Sequence, residues 1–242
     1  MKIKIVTLFP DMFSGFLNDS IIARAIKENI LSVELIDFRT YSKDKHHHVD
    51  DTPYGGGAGM VLRCDILGDA IKANSSSNTH KILMSPQGHT YKQADANRLK
   101  DMEEIMIICG HYEGFDERVR NLVDEEISIG DFVLTGGEIP AMTLVDSITR
   151  LLKGAITEES YEDDSFYSGL LEYPQYTRPL EYNGESVPFV LTNGDHEKIR
   201  VWRKKESLRR TYLRRPDLLE QKELNKEEKK LLNEVIDEES VK

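Results

Sequence analysis

The segment from Ile127 to Pro140, ISIGDFVLTGGEIP, constrains the fold of this chain more than any other. A run of strand type is followed by the glycine pair Gly136-Gly137, and a helix then begins at Glu138. Glycine lets backbone N–H and C=O groups approach a ligand without an intervening Cβ. Proline in the first helical turn costs no hydrogen bond, because the N–H groups there have no partner within the helix. The pattern therefore predicts a strand, a tight ligand-facing turn and a helix in succession.

The same order of strand and glycine-containing turn occurs twice upstream. The turn 85–88 follows a predicted strand over 80–84, and the turn 110–114 follows a predicted strand over 105–109. Ligands of parallel α/β sheets bind at the carboxyl ends of the strands. Because all three turns lie at such ends, we expect them to line one shared pocket with backbone groups.

Strands alternate with helices through the first two thirds of the chain. Further predicted strands cover 3–8, 32–38 and 127–129, and predicted helices cover 20–28, 65–73, 91–100, 116–123 and 138–152. Such alternation is typical of an α/β domain with a mostly parallel sheet. Beyond Pro179 the pattern becomes helical, with helices over 195–212 and 225–238, the second opened by a capping box of Asn225 and Glu228.

An acidic segment separates these two parts. Residues 158–164 carry five carboxylates and almost no apolar side chain, which is typical of a flexible linker. We therefore predict three parts: a cofactor-binding α/β domain over 1–157, an acidic flexible linker over 158–172, and a small helical domain over 173–242.

The charge of the chain is unevenly distributed. The formal net charge is −11, which by itself favours an enzyme acting on small molecules. From Lys198 to Arg215, however, nine basic residues stand against the single acidic residue Glu206, and an acid-rich tail follows from Asp217 to Glu239. A basic face is typical of a polyanion partner; the alternative is an ordinary solvated helix face.

Cysteine usage and hydropathy bear on the compartment. Cys64 and Cys109 are the only cysteines, and their spacing suits neither a disulfide framework nor a metal site, which fits a reducing cytosol. The apolar run Ile5–Phe9 is ended by Pro10 and is too short for a signal peptide. No apolar stretch reaches membrane-spanning length. We expect a cytoplasmic protein with no membrane partner.

Two loops contain residue types that often bind ligands. The glycine-rich loop 54–60 could form a phosphate cradle, but it lacks the Lys-Ser/Thr of a P-loop, so a flexible surface turn is favoured. His46, His47 and His48 could hold a metal, but adjacent side chains of an extended loop alternate in direction. A polar loop that contacts an anion is therefore favoured there.

Glu113, Arg150 and Asp164 each admit both a functional and a local structural interpretation. Glu113 lies inside the glycine-bracketed turn, whereas Asp116 and Glu117 fit first-turn carboxylates that oppose a helix dipole. Arg150, near the end of an apolar helix, fits a dipole-complementing cation, and Asp164 fits a solvated linker carboxylate.

Together the motifs of the chain resemble one family, the bacterial tRNA (guanine-N1)-methyltransferases of the SPOUT superfamily. The resemblance runs nearly end to end and is carried by these segments: Leu8-Phe9-Pro10, residues 49–60 (VDDTPYGGGAGM), 85–88 (SPQG), 109–118 (CGHYEGFDER), 128–134 (SIGDFVL), 136–138 (GGE), 176–179 (YTRP) and 213–216 (LRRP).

The resemblance implies a fold and an activity. The sheet would be closed by a C-terminal trefoil knot built from the turns 85–88, 110–114 and 129–140. S-adenosylmethionine would bind in that knot, a homodimer would form, and tRNA would bridge both chains. The product would carry a methyl group on N1 of the guanosine immediately 3′ of the anticodon. The family is also expected to need Mg²⁺, for which the sequence indicates no ligand set.

The resemblance also implies roles for individual residues. Asp164 would be the catalytic base and Arg150 would assist at the guanine, although Asp163 adjoins Asp164 and is the alternative base. Glu113 would read the neighbouring guanosine, and Arg214 and Arg215 would bind tRNA phosphates. The implied cofactor pocket consists of Met84, Ser85, Pro86, Gly110, Tyr112, Gly114, Ile129, Gly130, Phe132, Leu134, Gly136, Gly137 and Pro140. His111 departs from the Arg that many members carry there.

The chemistry explains why such groups are needed. Guanine N1 carries a proton at neutral pH, so methylation needs a base for that proton and a cation for the charge that develops on O6. Three alternatives remain from the sequence: a knotted ribose 2′-hydroxyl methyltransferase, a non-catalytic RNA-binding protein, and a nucleotide-binding metabolic enzyme with an incidental basic helix.

Overall fold

The computed structural model describes residues 1–157 and 164–241. The chain divides into two compact units, Met1–Thr157 and Glu158–Lys242. The division falls after Thr157, the last residue of the predicted α/β domain.

Within the described residues, a five-stranded parallel sheet forms the centre of the first unit. Its strands are β1 (Lys2–Thr7), β2 (Ser32–Asp37), β5 (Thr79–Thr90), β6 (Glu104–Ile108) and β7 (Glu125–Ser128), and two short strands, β3 (Asp50–Asp51) and β4 (Val61–Leu62), pair separately. The order in the sheet is β2-β1-β6-β5-β7, and every pairing is parallel. The predicted α/β class with a mostly parallel sheet is confirmed.

Helices cover both faces of this sheet. They are α1 (Ser14–Asn18), α2 (Ser20–Lys27), α3 (Cys64–Asn74), α4 (Gln93–Leu99) and α5 (Glu138–Thr149). On one face Leu67 and Ile71 of α3 pack with Val6 and Met106 of the strands. On the other, α5 contacts β1 and α2. Because both faces of β6 are buried, its sequence is an uninterrupted apolar run, and that run is the pattern that predicted a strand here.

The strand predicted over 80–84 differs from β5 in length. β5 does not end at Met84, because Met84 and His89 both pair with Ile127 and the pairing then continues to Thr90. The residues between them leave the register and return to the same neighbouring strand. The predicted turn at 85–88 is therefore an excursion within one long strand, and it projects at the edge where the other two turns lie.

Two helices also differ from their predictions. The apolar helix ends at Thr149 instead of residue 152, and Arg150 is its C-cap. The segment predicted as a helix over 116–123 is a 3₁₀ helix, Glu117–Leu122, opened by Asp116, whose carboxylate accepts from the N–H of Arg118 at 3.0 Å. The helix-terminus interpretation of Asp116 is thus confirmed.

The second unit is mainly helical. It contains a hairpin of β8 (Glu181–Tyr182) and β9 (Glu185–Ser186), and the helices α6 (His196–Arg214), α7 (Pro216–Gln221) and α8 (Lys226–Ser240). Leu208 of α6 and Leu231 of α8 pack against Leu170. Asn225 and Glu228 form the predicted capping box, with hydrogen bonds of 2.9 and 3.0 Å.

Part of the predicted linker belongs to this packed unit. Leu170 is buried, and the N–H of Leu171 donates to the Thr211 hydroxyl at 2.9 Å. The N–H of Glu172 donates to the Ser165 hydroxyl at 2.9 Å. Residues 158–163 of that linker lie outside the described residues.

None of the helices in 1–157 or 164–241 combines the length and the apolar character that a bilayer crossing needs.

Candidate active site

The three glycine-containing turns of the first unit line one cavity of about 350 Å³. It lies at the carboxyl ends of β6 and β7 and at the excursion within β5. All thirteen residues of the implied cofactor pocket line this cavity: Met84, Ser85, Pro86, Gly110, Tyr112, Gly114, Ile129, Gly130, Phe132, Leu134, Gly136, Gly137 and Pro140. The structure thus brings together residues that are up to 56 positions apart, from Met84 to Pro140.

Backbone hydrogen bonds hold the walls of the cavity together. The N–H of Gly137 donates to the carbonyl of Gly110 at 2.9 Å, and His111 pairs with Gly136 as an isolated antiparallel bridge. A Cβ on Gly137 would stand 2.7 Å from the Cα of Cys109, closer than real Cβ atoms approach. The glycine pair is therefore required by the close approach of the two turns.

A buried carboxylate that the sequence did not single out for function stands directly behind this contact. Glu138 is 2% exposed, and its carboxylate accepts a hydrogen bond from the Thr7 hydroxyl at 2.7 Å. Burial, with the nearby Glu138 carboxylate, raises the pKa of the Cys109 thiol well above its ordinary value. The thiol therefore stays protonated, and Glu138 fixes the start of α5 to the end of β1.

Polar side chains outside the predicted set also line the cavity. They are Gln87, His111, Glu117, Arg120, Ser128 and Thr135. The Arg120 guanidinium donates to the Gln87 amide oxygen at 2.9 Å and pairs with Glu117 and Glu126. The Nδ1 atom of His111 is buried without a hydrogen-bond partner among the described residues. In a single sequence, only the position of each residue near a glycine turn hints at a place in this wall.

Glu113 lines the cavity from inside its turn. The Glu113 side chain is exposed, and no described residue makes a hydrogen bond or ion pair with its carboxylate. Asp116, by contrast, forms a two-point ion pair with Arg118, which holds the pKa of Asp116 far below its usual range. Of the two carboxylates, Glu113 is the one available to a ligand.

Arg150 lies in the first unit and Asp164 in the second. Arg150 is partly buried at the C-cap of α5, where its N–H donates to the Asp146 carbonyl at 3.1 Å. Asp164 is partly buried, and its carbonyl accepts from the N–H of Tyr167 at 3.3 Å. Both residues make further interactions.

The predicted basic face is largely neutralised within the second unit. Six of the nine basic side chains between 198 and 215 pair with carboxylates: Lys198, Arg200, Lys204, Lys205, Arg209 and Arg215. Four of these pair with carboxylates of α8, the acidic helix that packs along α6. The prediction that this helix forms a local basic face for a polyanion partner stays a prediction. The sequence does not reveal that carboxylates of the acidic tail pair with several of these side chains.

Arg203, Arg210 and Arg214 have no carboxylate partner within the described part of the chain. Their spacing of seven and four residues places them on one side of α6. Arg203 stacks over the Tyr173 ring at 4.9 Å. Arg215 instead binds Asp217 at two points, 2.7 and 2.8 Å, and lies 5.8 Å from the Phe166 ring.

Among residues 1–157 and 164–241, no group of three or more His, Cys, Asp or Glu side chains could hold a metal ion. The ring of His48 instead forms a hydrogen bond with the Asp44 carboxylate at 2.5 Å.

A parallel α/β sheet with a backbone-lined cavity at its carboxyl edge is the arrangement in which α/β domains bind small organic ligands. Comparison with known proteins gives the particular family. Residues 1–221 match the family model described as tRNA (Guanine-1)-methyltransferase TrmD, so the chain belongs to the tRNA (guanine-1)-methyltransferase family. The resemblance found from the sequence motifs is confirmed.

Relatives named tRNA (guanine-N(1)-)-methyltransferase are similar over nearly their whole length. The protein of Fusobacterium nucleatum is 58% identical over 99% of this chain and 100% of its own. That of Bacillus licheniformis is 54% identical over 97% of this chain and 98% of its own. That of Lacticaseibacillus paracasei is 52% identical over 100% of this chain and 96% of its own.

Proposed function

We propose that this chain transfers a methyl group from S-adenosylmethionine to N1 of the guanosine immediately 3′ of the anticodon in tRNA. Family membership supports the reaction class. One observation carries the assignment of the site: all thirteen residues of the implied cofactor pocket line a single cavity.

The residues of the cavity fit S-adenosylmethionine. A volume of about 350 Å³ lies within the range of sites for small ligands, roughly 300–1,000 Å³. Met84, Ile129, Phe132 and Leu134 offer apolar surface for the adenine, and the glycine turns offer backbone N–H and C=O groups for its polar atoms. When bound, the cofactor supplies a methyl group on a sulfonium, which is already an activated electrophile.

The chain's own residues supply the acid–base chemistry in this proposal. Asp164 accepts the proton of guanine N1, and Arg150 stabilises the negative charge that develops on O6. Glu113 binds the neighbouring guanosine, whose N1–H and amino group are donors suited to a carboxylate. The carboxylate of Glu113 lines the cavity and has no hydrogen bond or ion pair with any described residue, which supports this role.

We assign the tRNA phosphate contacts to Arg203, Arg210 and Arg214 instead of the whole basic helix. These arginines share one side of α6 and are not neutralised by described carboxylates, so they can bind phosphates without first breaking an ion pair. Arg215 is held by Asp217, and it therefore contributes less than Arg214.

The remaining proposals rest on the family resemblance. The turns around the cavity would form a trefoil knot. Residues 1–157 would bind the cofactor, residues 158–172 would link the two domains, and residues 173–242 would bind tRNA. The protein would act as a homodimer in the cytoplasm. No described cluster of side chains fits Mg²⁺, so we derive no step that depends on the ion.

The test is to incubate the pure protein with labelled S-adenosylmethionine and unmodified tRNA, digest the product, and identify the labelled nucleoside. We expect 1-methylguanosine. A 2′-O-methylated nucleoside would indicate the ribose methyltransferase, and tRNA binding without label would indicate a non-catalytic RNA-binding protein. Asp163→Ala and Asp164→Ala, assayed side by side, identify which carboxylate is the base.

A further inference from the structure

The glycine-rich loop 54–60 is bound to the turn that carries Glu113. The N–H of Glu113 donates to the Met60 carbonyl at 3.0 Å, and the N–H of Leu62 donates to the Gly114 carbonyl at 2.9 Å. Leu62 also pairs with Phe115 as an isolated parallel bridge. The end of the loop therefore runs beside the turn and is hydrogen-bonded to it, as one strand is to the next. A surface turn that packs on nothing would make no such bonds.

Within this contact the Glu113 side chain lies directly on Gly59. A Cβ built on Gly59 would stand 2.3 Å from Cγ, 2.6 Å from Cδ and 2.2 Å from Oε1 of Glu113. Because Cγ itself is in the way, rotation of the carboxylate alone would not relieve the collision. The whole Glu113 side chain would have to adopt another rotamer.

Among the described residues, no polar contact holds the Glu113 carboxylate in place. The Glu113 carboxylate has no hydrogen bond or ion pair with a described residue, so packing against Gly59 is what restrains its direction. Gly55 and Gly56 in the same loop have φ of +88° and +79°, close to the +83° of Gly59, but a Cβ on either would meet nothing within 4 Å. Only Gly59 of these three combines a left-handed backbone with contact to Glu113.

We propose that Gly59 is a positioning residue for guanosine recognition: its missing side chain leaves the space in which Glu113 lies against the loop and points its carboxylate to the nucleobase next to the methylated one. This inference rests on the proposed function of Glu113. It gives the glycine-rich loop a role in substrate selection.

The experiment compares Gly59→Ala with Gly56→Ala, since both place alanine at a similar positive φ and only the first meets Glu113. Methylation is measured on two tRNA transcripts that carry guanosine or adenosine at the nucleotide preceding the methylated guanosine. We expect the wild type and Gly56→Ala to prefer the guanosine transcript in kcat/KM. Gly59→Ala should lose about 10-fold to 100-fold of that preference, the usual scale for a carboxylate hydrogen bond. The loss should fall on KM with little change in kcat, and S-adenosylmethionine binding by calorimetry should stay within twofold of the wild type.

A double-mutant cycle separates positioning from general damage. In a Glu113→Ala background, Gly59→Ala should cause no loss of preference beyond that of Glu113→Ala alone. Equal preferences in Gly59→Ala and Gly56→Ala would overturn the inference while leaving the proposed function intact. A wild-type preference in Glu113→Ala would instead remove the role of Glu113, and the inference with it.

Discussion

Replacing Gly137 with alanine should weaken cofactor binding without unfolding the chain. Gly137 has φ of −86°, which alanine adopts without strain, so the effect is steric. The new Cβ would stand 2.7 Å from the Cα of Cys109 and 2.9 Å from the N of Gly110, whereas ordinary contacts begin near 3.4 Å. Both are backbone atoms, so no rotamer change relieves the collision, and the two turns must separate by several tenths of an ångström.

The magnitude follows from the cost of overpacking, about 1–3 kcal/mol at a tightly packed site. The free chain relieves the collision by separating the turns around Gly110 and Gly137, and a ligand that contacts both turns requires them to return. We therefore expect the Kd for S-adenosylmethionine to rise about 5-fold to 150-fold, at 1.4 kcal/mol for each factor of ten. Isothermal titration calorimetry measures this directly.

Gly15→Ala is the matched control. Gly15 lies in helix α1, and a Cβ there would meet nothing within 4 Å. This variant should bind the cofactor as the wild type does, with a melting temperature that is unchanged or slightly higher. A Kd for Gly137→Ala within twofold of the wild type would refute the steric argument, because it would mean that the spacing of the two turns does not determine binding.

Three further outcomes are expected. Asp164→Ala should lower kcat about 100-fold to 10,000-fold, the range of general-base catalysis, with an unchanged cofactor Kd; a wild-type rate would remove Asp164 from the mechanism. Arg214→Gln should reduce the slope of log affinity for tRNA against log salt concentration by about 1. Arg200→Gln should leave this slope unchanged, because Arg200 is already paired with Glu227. Equal slopes in the two variants would mean that Arg214 does not contact phosphate. Ion pairs lower the pKa of Glu238 to about 2 from 4.5, so its contribution to stability is complete above pH 4.5 and is lost as the pH falls toward about 2. Fluorescence of Trp202, the single tryptophan, should therefore report acid loosening of the helices over that window, and Glu238→Gln should reduce it.

The repeated order of strand, glycine turn and helix was readable from the sequence because it depends on local properties. Buried parallel strands such as β6 are continuous apolar runs, and glycine pairs mark places where backbones approach closely. The family motifs added the list of cavity residues. The end of β5 was not readable in this way, because β5 resumes its pairing with Ile127 after the excursion and that pairing depends on the neighbouring strand.

Other features depend on residues far apart in the chain, so the tertiary structure alone decided them. The acidic helix α8 folds onto α6 and pairs with four of the nine basic side chains between 198 and 215, which the sequence shows only as a basic run. The Thr7 hydroxyl meets the Glu138 carboxylate across 131 positions, and Gly59 makes space for Glu113 from a loop that looked independent. Charge pairing and steric fit depend on residues that are close in space. A sequence pattern shows only residues that are close along the chain. The sequence therefore determined the type of site and the reaction class, and the packing of distant segments decided which side chains remain available to a ligand.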